Sequence, residues 1–123
     1  MEFLTEDKKN TITEFVKFVK SELGIKKCPT VVLQNGRGQL KTTAAYNYTN
    51  ENKIIKVNAK NRALVDILRS IAHELVHHKQ WEDGRLDGPS PPDIGGEIED
   101  EANAKAGQYI KMFAKENKTI YDE

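Results

Sequence analysis

The chain has three histidines, and all three fall in one short segment, His73-Glu74-Leu75-Val76-His77-His78. That segment lies inside a helical pattern. From about Asn61 to Trp81 the apolar residues Leu64, Leu68, Ile71 and Leu75 recur on one stripe, and Asn58 or Asn61 is expected to cap the helix start. On such a helix His73 and His77 rise from one face on successive turns, so both imidazoles can reach a single metal ion about 2.0–2.1 Å away. Glu74, next to the first of them, can present its carboxylate to a water on that metal and act as general base. Asp66, Ser70, His73 and His77 form a polar line beside the apolar stripe, which a helix with only a packing role does not need. The plain alternative is a surface helix carrying two incidental histidines.

Two histidines hold zinc poorly, and open zinc sites normally have three protein ligands and a water. No histidine follows His78, and the single cysteine, Cys28, lies far upstream. A carboxylate must therefore complete the set, which requires a second helix to pack beside the first. The last helix, expected from about Gly96 to Asn117, offers Glu97, Glu99, Asp100 and Glu101. At about 100° per residue, Glu99 falls in the middle of the face formed by Ala102, Ala106, Ile110 and Phe113. Glu97 and Glu101 point nearly the opposite way, and Asp100 sits about a quarter-turn off that face. A lone carboxylate on a buried face is costly unless a charge compensates it, and a metal ion would do so. Against this stands the simple preference of carboxylates for helix N-termini. Asn103, one turn after Glu99, is placed to orient a ligand by hydrogen bonding. His78 is about 100° round the helix from His77 and is assigned as non-ligating.

The remainder of the chain is expected to form one domain over residues 1–123, of α+β class. Ile12, Phe15, Val16, Val19 and Leu23 predict an amphipathic helix from about Thr5 to Leu23, stopped by Gly24. Its lysines, Lys8, Lys9, Lys17 and Lys20, are read as a solvated face. Thr30-Val31-Val32-Leu33, the extended run Leu40 to Tyr48, and Ile54-Ile55-Lys56-Val57 predict three short strands. Turn signals at Asn35–Gly38 and Thr49–Asn52 suggest tight connections and a mostly antiparallel three-stranded sheet. Residues 83–96 carry Pro89, Pro91 and Pro92 among glycines and read as a loop stiffened by proline and forming one rim of a cleft.

Lysine plus arginine and aspartate plus glutamate number 19 each, giving zero net charge, so nothing advertises a nucleic-acid partner. A single cysteine excludes an internal disulfide framework. No apolar run suggests a membrane span, and Met1–Asn10 lacks the apolar stretch of a secretory signal, which makes a cytoplasmic location the default expectation.

His73-Glu74-Leu75-Val76-His77, followed 22 residues later by Glu99-Asp100-Glu101-Ala102-Asn103, resembles the gluzincin clan of zinc metallopeptidases. The match is closest to its minimal single-domain forms, the minigluzincin and ImmA/IrrE type, whose third ligand opens a Glu-x-x-Ala-Asn or Glu-x-x-Ala-Asp motif. It is sharp over residues 64–106 and architectural elsewhere. The resemblance implies a zincin-like order of N-terminal helix, small sheet, active-site helix and glutamate helix, with one zinc ion on His73, His77 and Glu99. It also implies that the strand Lys53–Asn58 is a sheet edge to which a peptide or protein substrate adds by backbone hydrogen bonds. One departure is His78, where the family often has a small or apolar residue. Tyr46, Tyr48, Tyr109 and His78 are candidates to stabilise the oxyanion of peptide hydrolysis, with Tyr109 favoured as core. Three function classes remain open at this point: a metallopeptidase, a zinc-binding regulatory or assembly module without turnover, and a metal-dependent hydrolase of non-peptide substrates.

Overall fold

In a computed structural model the described residues are 6–34, 44–47, 54–59, 62–84, 97–117 and 120. Their elements run in the order α1 (Glu6–Leu23), β1 (Thr30–Gln34), β2 (Ala44–Asn47), β3 (Ile54–Asn58), α2 (Leu64–Glu82) and α3 (Glu97–Ala114). The turns expected at 35–38 and 49–52, and all but the first two residues of the 83–96 loop, lie outside the described residues.

Periodicity accounts for the helices. In α1 the buried residues are Ile12, Phe15 and Val19, spaced three and four apart as one face of a 3.6-residue helix demands. Lys17 stands in solvent within reach of Glu14, the arrangement of a solvated face. Gly24 ends the helix in the left-handed region at φ 70°. Its N–H bonds the Ser21 carbonyl, and the Ile25 N–H reaches back to the Lys20 carbonyl at 3.1 Å. This pair of bonds satisfies the last carbonyls of the helix, and glycine is the residue that adopts such a conformation without a Cβ penalty.

The α+β class is observed, but the sheet is mixed rather than mostly antiparallel. Its strand order is β1-β3-β2. β1 runs parallel to β3, pairing Val31 with Ile55 and Leu33 with Val57, while β2 runs antiparallel to β3, pairing Tyr46 with Ile55. The strand ending at Asn58 is therefore the centre of the sheet and not its edge. Both of its hydrogen-bonding sides are occupied, and no peptide can add there. The burial of β3 explains its place: Ile55 and Val57 are fully buried with Lys56 exposed between them, whereas Val32 on β1 is an exposed apolar residue. Among the described residues β1 and β2 are left at the two edges.

α2 is the hub, packing against α1, α3, β2 and β3. Leu64, Leu68, Ile71 and Leu75 are buried, as their stripe required, and Ile67, Ala72 and Val76 are buried with them. The expected asparagine cap is not present. Ala63 precedes α2 in extended backbone with no side-chain cap bond, and Asn61 is outside the described residues. The Arg62 guanidinium ties the junction instead, donating to the Asn58 carbonyl at 2.8 Å, the Asp66 carbonyl at 3.0 Å and Ser70 Oγ at 2.7 Å. A rigid fork of donors suits such a task. On the far side of the core Phe15 meets Phe113 edge-on at 5.1 Å, and Phe18 meets Tyr109 in the same manner at 6.2 Å, a geometry that aromatic quadrupoles favour.

The strand order is directly testable. Proline at position 56 removes a ladder donor and is incompatible with a central strand. Lys56→Pro is expected to abolish cooperative unfolding followed by circular dichroism in urea; a folded variant with an unchanged midpoint would place β3 at an edge after all.

Candidate metal centre

α2 and α3 form the most extensive helix pair of the fold, and the site lies between them. Ala102 and Ala106 on α3 are buried with almost no exposure; such small residues let the helices approach closely. That approach brings Glu99, at the first turn of α3, against the polar line of α2. His77 Nε2 is 2.8 Å from one Glu99 oxygen, and His73 Nε2 is 3.3 Å from the other. The two Nε2 atoms are themselves 3.2 Å apart, with the rings at 87° to one another. His73, His77 and Glu99 are thus placed to hold one metal ion.

The fit is geometric. A tetrahedral ion about 2.0–2.1 Å from each ligand requires ligand atoms about 3.3 Å apart; the two Nε2 atoms are 3.2 Å apart, each has a different Glu99 oxygen at 2.8 or 3.3 Å, and one ligand atom from each of the three residues lies within 4.8 Å of the others. It is also electrostatic. Two imidazole nitrogens and two carboxylate oxygens converge, and a cation at their centre offsets the repulsion among their lone pairs. Burial, and the neighbouring His77 charge, hold His73 below its ordinary pKa despite Glu99 and a hydrogen bond to Asn103. A ring kept neutral is a ring ready to ligate. The hydrogen bond to Asn103 is the contact that its position one turn beyond Glu99 led us to expect.

Glu74 is 8% exposed. Burial pushes its carboxyl up to about 7, with His77 opposing and Glu99 adding to the rise. A buried carboxyl needs a compensating charge or hydrogen bonds, and among the described residues no hydrogen bond or ion pair engages Glu74. It sits within electrostatic reach of His77 and Glu99, and a buried carboxyl perturbed in this way beside a candidate metal centre marks a candidate functional group.

Other candidates are reassigned. His78 is 1% exposed and turned away from the ligands. Its Nε2 donates to the Lys27 carbonyl at 2.7 Å, with Glu82 at 3.4 Å. Glu82 accepts the Lys26 and Lys27 N–H groups at 3.1 and 3.0 Å. Burial resists its ionisation, but these bonds and His78 hold it below the usual carboxylate range. The pair fastens the end of α2 to the segment entering β1. His78 is therefore neither a ligand nor an oxyanion donor. Tyr109 packs on Phe18 within the core. Tyr46 lies on β2, and Tyr48 falls outside the described residues. Cys28 is free, and burial pushes its thiol up, away from reactivity.

Gln80 was not singled out from the sequence. It is buried on α2, accepts from His77 Nδ1 at 2.8 Å and donates to the Ile98 carbonyl and to Glu101 at 3.1 and 3.0 Å. Its signal was available: a polar residue three positions after a ligand lies close to that ligand's face of the helix.

The buried carboxyl has a pH consequence. Between pH 4.5, the ordinary value, and about 7 the metal-free folded protein keeps a proton that the unfolded chain releases, so Glu74 lowers stability as pH rises through that window. Glu74→Gln removes the effect. It is expected to stabilise the metal-free protein by roughly 1–3 kcal/mol above pH 7 and by nothing below pH 4.5, read by urea denaturation across pH. No protein-family model, no curated protein and no solved structure matches the chain, so the metal centre stands on its geometry.

Proposed function

We propose that the protein is a zinc metallopeptidase of the gluzincin type, with zinc on His73, His77 and Glu99. The observation that carries this reading is Glu74: a site built only to hold metal has no use for a buried, unpaired carboxyl beside it. Three protein ligands of nitrogen and carboxylate type suit zinc with one position open. When bound, zinc supplies an activated water and a Lewis acid for the scissile carbonyl.

The chain's own residues do the rest. Glu74, poised near neutrality, takes the proton from the attacking water and delivers it to the leaving amine. His73 and His77, held at fixed separation on one helix face, set the ligand geometry, and Asn103 steadies the first of them. The substrate strand adds to β2, not to β3. Among the described residues β2 is paired only with β3, and it packs beside α2, the helix that carries His73 and His77, which is why the free side of β2 is the proposed place for an extended peptide. No helix among the described residues is long and apolar enough to cross a membrane.

A regulatory or assembly module that keeps zinc without turnover is the second reading, since the grouping of His73, His77 and Glu99 accounts for holding a metal and not by itself for turnover. The two separate cleanly. Purified protein is expected to carry about one zinc per chain, and Glu99→Ala to lose it far more completely than Glu101→Ala. Digestion of a peptide library should be abolished by Glu74→Gln with zinc retained. Cleavage that persists in Glu74→Gln, or zinc retention without any cleavage by the wild type, would sink the peptidase reading. Chelation should also lower the melting temperature, because a ligand bound only by the folded state stabilises by mass action.

A further inference from the structure

We infer that Gln80 is a positioning residue that presets the tautomer of His77 and ties it to the helix carrying Glu99; the inference rests on the metal-site reading above. The side chain is 1% exposed, so each of its polar atoms must find a partner within the protein. Its amide orientation is not free. The nitrogen faces the Ile98 carbonyl at 3.1 Å and the Glu101 carboxylate at 3.0 Å, and both of these groups only accept when the carboxylate is ionised. The amide oxygen is thereby turned to His77 Nδ1, 2.8 Å away.

An amide oxygen only accepts, so His77 must carry its proton on Nδ1. The lone pair of the neutral ring then falls on Nε2, the atom that points at His73 and Glu99. The tautomer needed for ligation exists before any metal arrives. Partners on the far side of a ligating imidazole commonly fix ring orientation in this way.

The second effect is spatial. Ile98 directly precedes Glu99 in the first turn of α3, and Glu101 follows it by two residues. One side chain therefore holds the ring of one ligand and the backbone turn that bears another. Glutamine is the residue that meets both demands. A glutamate would accept from His77 but would have no donor for the Ile98 carbonyl and would face a second carboxylate at Glu101. A leucine of similar size would orphan the ring N–H and lose both bonds to α3.

Three measurements test this. In the metal-free wild type at alkaline pH, long-range 1H–15N spectra are expected to show His77 protonated on Nδ1; a ring protonated on Nε2 overturns the proposal whether or not zinc binds. Gln80→Leu is expected to weaken zinc binding on the order of 10–100-fold, read by competition with a chromophoric chelator. The absorption of the cobalt-substituted protein should shift with it. Wild-type affinity in a folded Gln80→Leu variant overturns the proposal. The double exchange Gln80→Glu with Glu101→Gln keeps an acceptor for His77 and restores a donor between the helices. It should recover part of the affinity that Gln80→Glu alone loses, and no recovery would reduce Gln80 to packing. Loss of zinc by every protein including the wild type would instead fail the metal reading, leaving the tautomer measurement to decide the role of Gln80.

Discussion

Electron-rich atoms brought within about 3 Å of one another repel unless a cation or a proton lies among them. The junction of α2 and α3 holds two imidazole nitrogens and a carboxylate at that spacing. Apolar packing makes the junction possible: the buried alanines Ala102 and Ala106 admit the helices to close range, and the leucines and isoleucines of α2 fill the space around them. The packed helices bring the candidate ligands together, and an ion held at the centre would stabilise the packed helices in return.

Around that point the polar residues divide by partner. His73 and His77 face α3. His78, the next residue, faces the opposite way and bonds the backbone ahead of β1. Ser70, on the same polar line as the ligands, receives Arg62 and secures the entry to α2. The polar residues of one helix thus serve three junctions, of which the one with α3 gathers the candidate metal ligands.

The helices were legible because their period is legible. Glu99 was chosen over Glu97, Asp100 and Glu101 by angle alone, and it is the carboxylate that meets both histidines. The order of strands was not legible. Alternation in Ile54–Asn58 tells which side chains turn inward, and says nothing about which strand lies alongside. Two turn-like segments suggested a meander, while the sheet places β3 between the other two. The role of His78 was hidden for a different reason: its partner is the carbonyl of Lys27, and every residue has a carbonyl. Gln80 falls under the same angular argument as Glu99, but an amide is not among the usual zinc-ligand types and so does not stand out in the sequence.

α2 buries eleven of its nineteen residues, on more than one side. A helix so enclosed has little freedom to fray or tilt by itself, and segments of this kind exchange their amide hydrogens only when the whole molecule opens. The two histidines therefore share the lifetime of the native state, whereas Glu99, at the first turn of α3, sits where a helix begins and is easiest to peel back. Exchange of an ion with the surroundings would then proceed through the carboxylate arm, with the imidazole pair as the fixed jaw of the clasp.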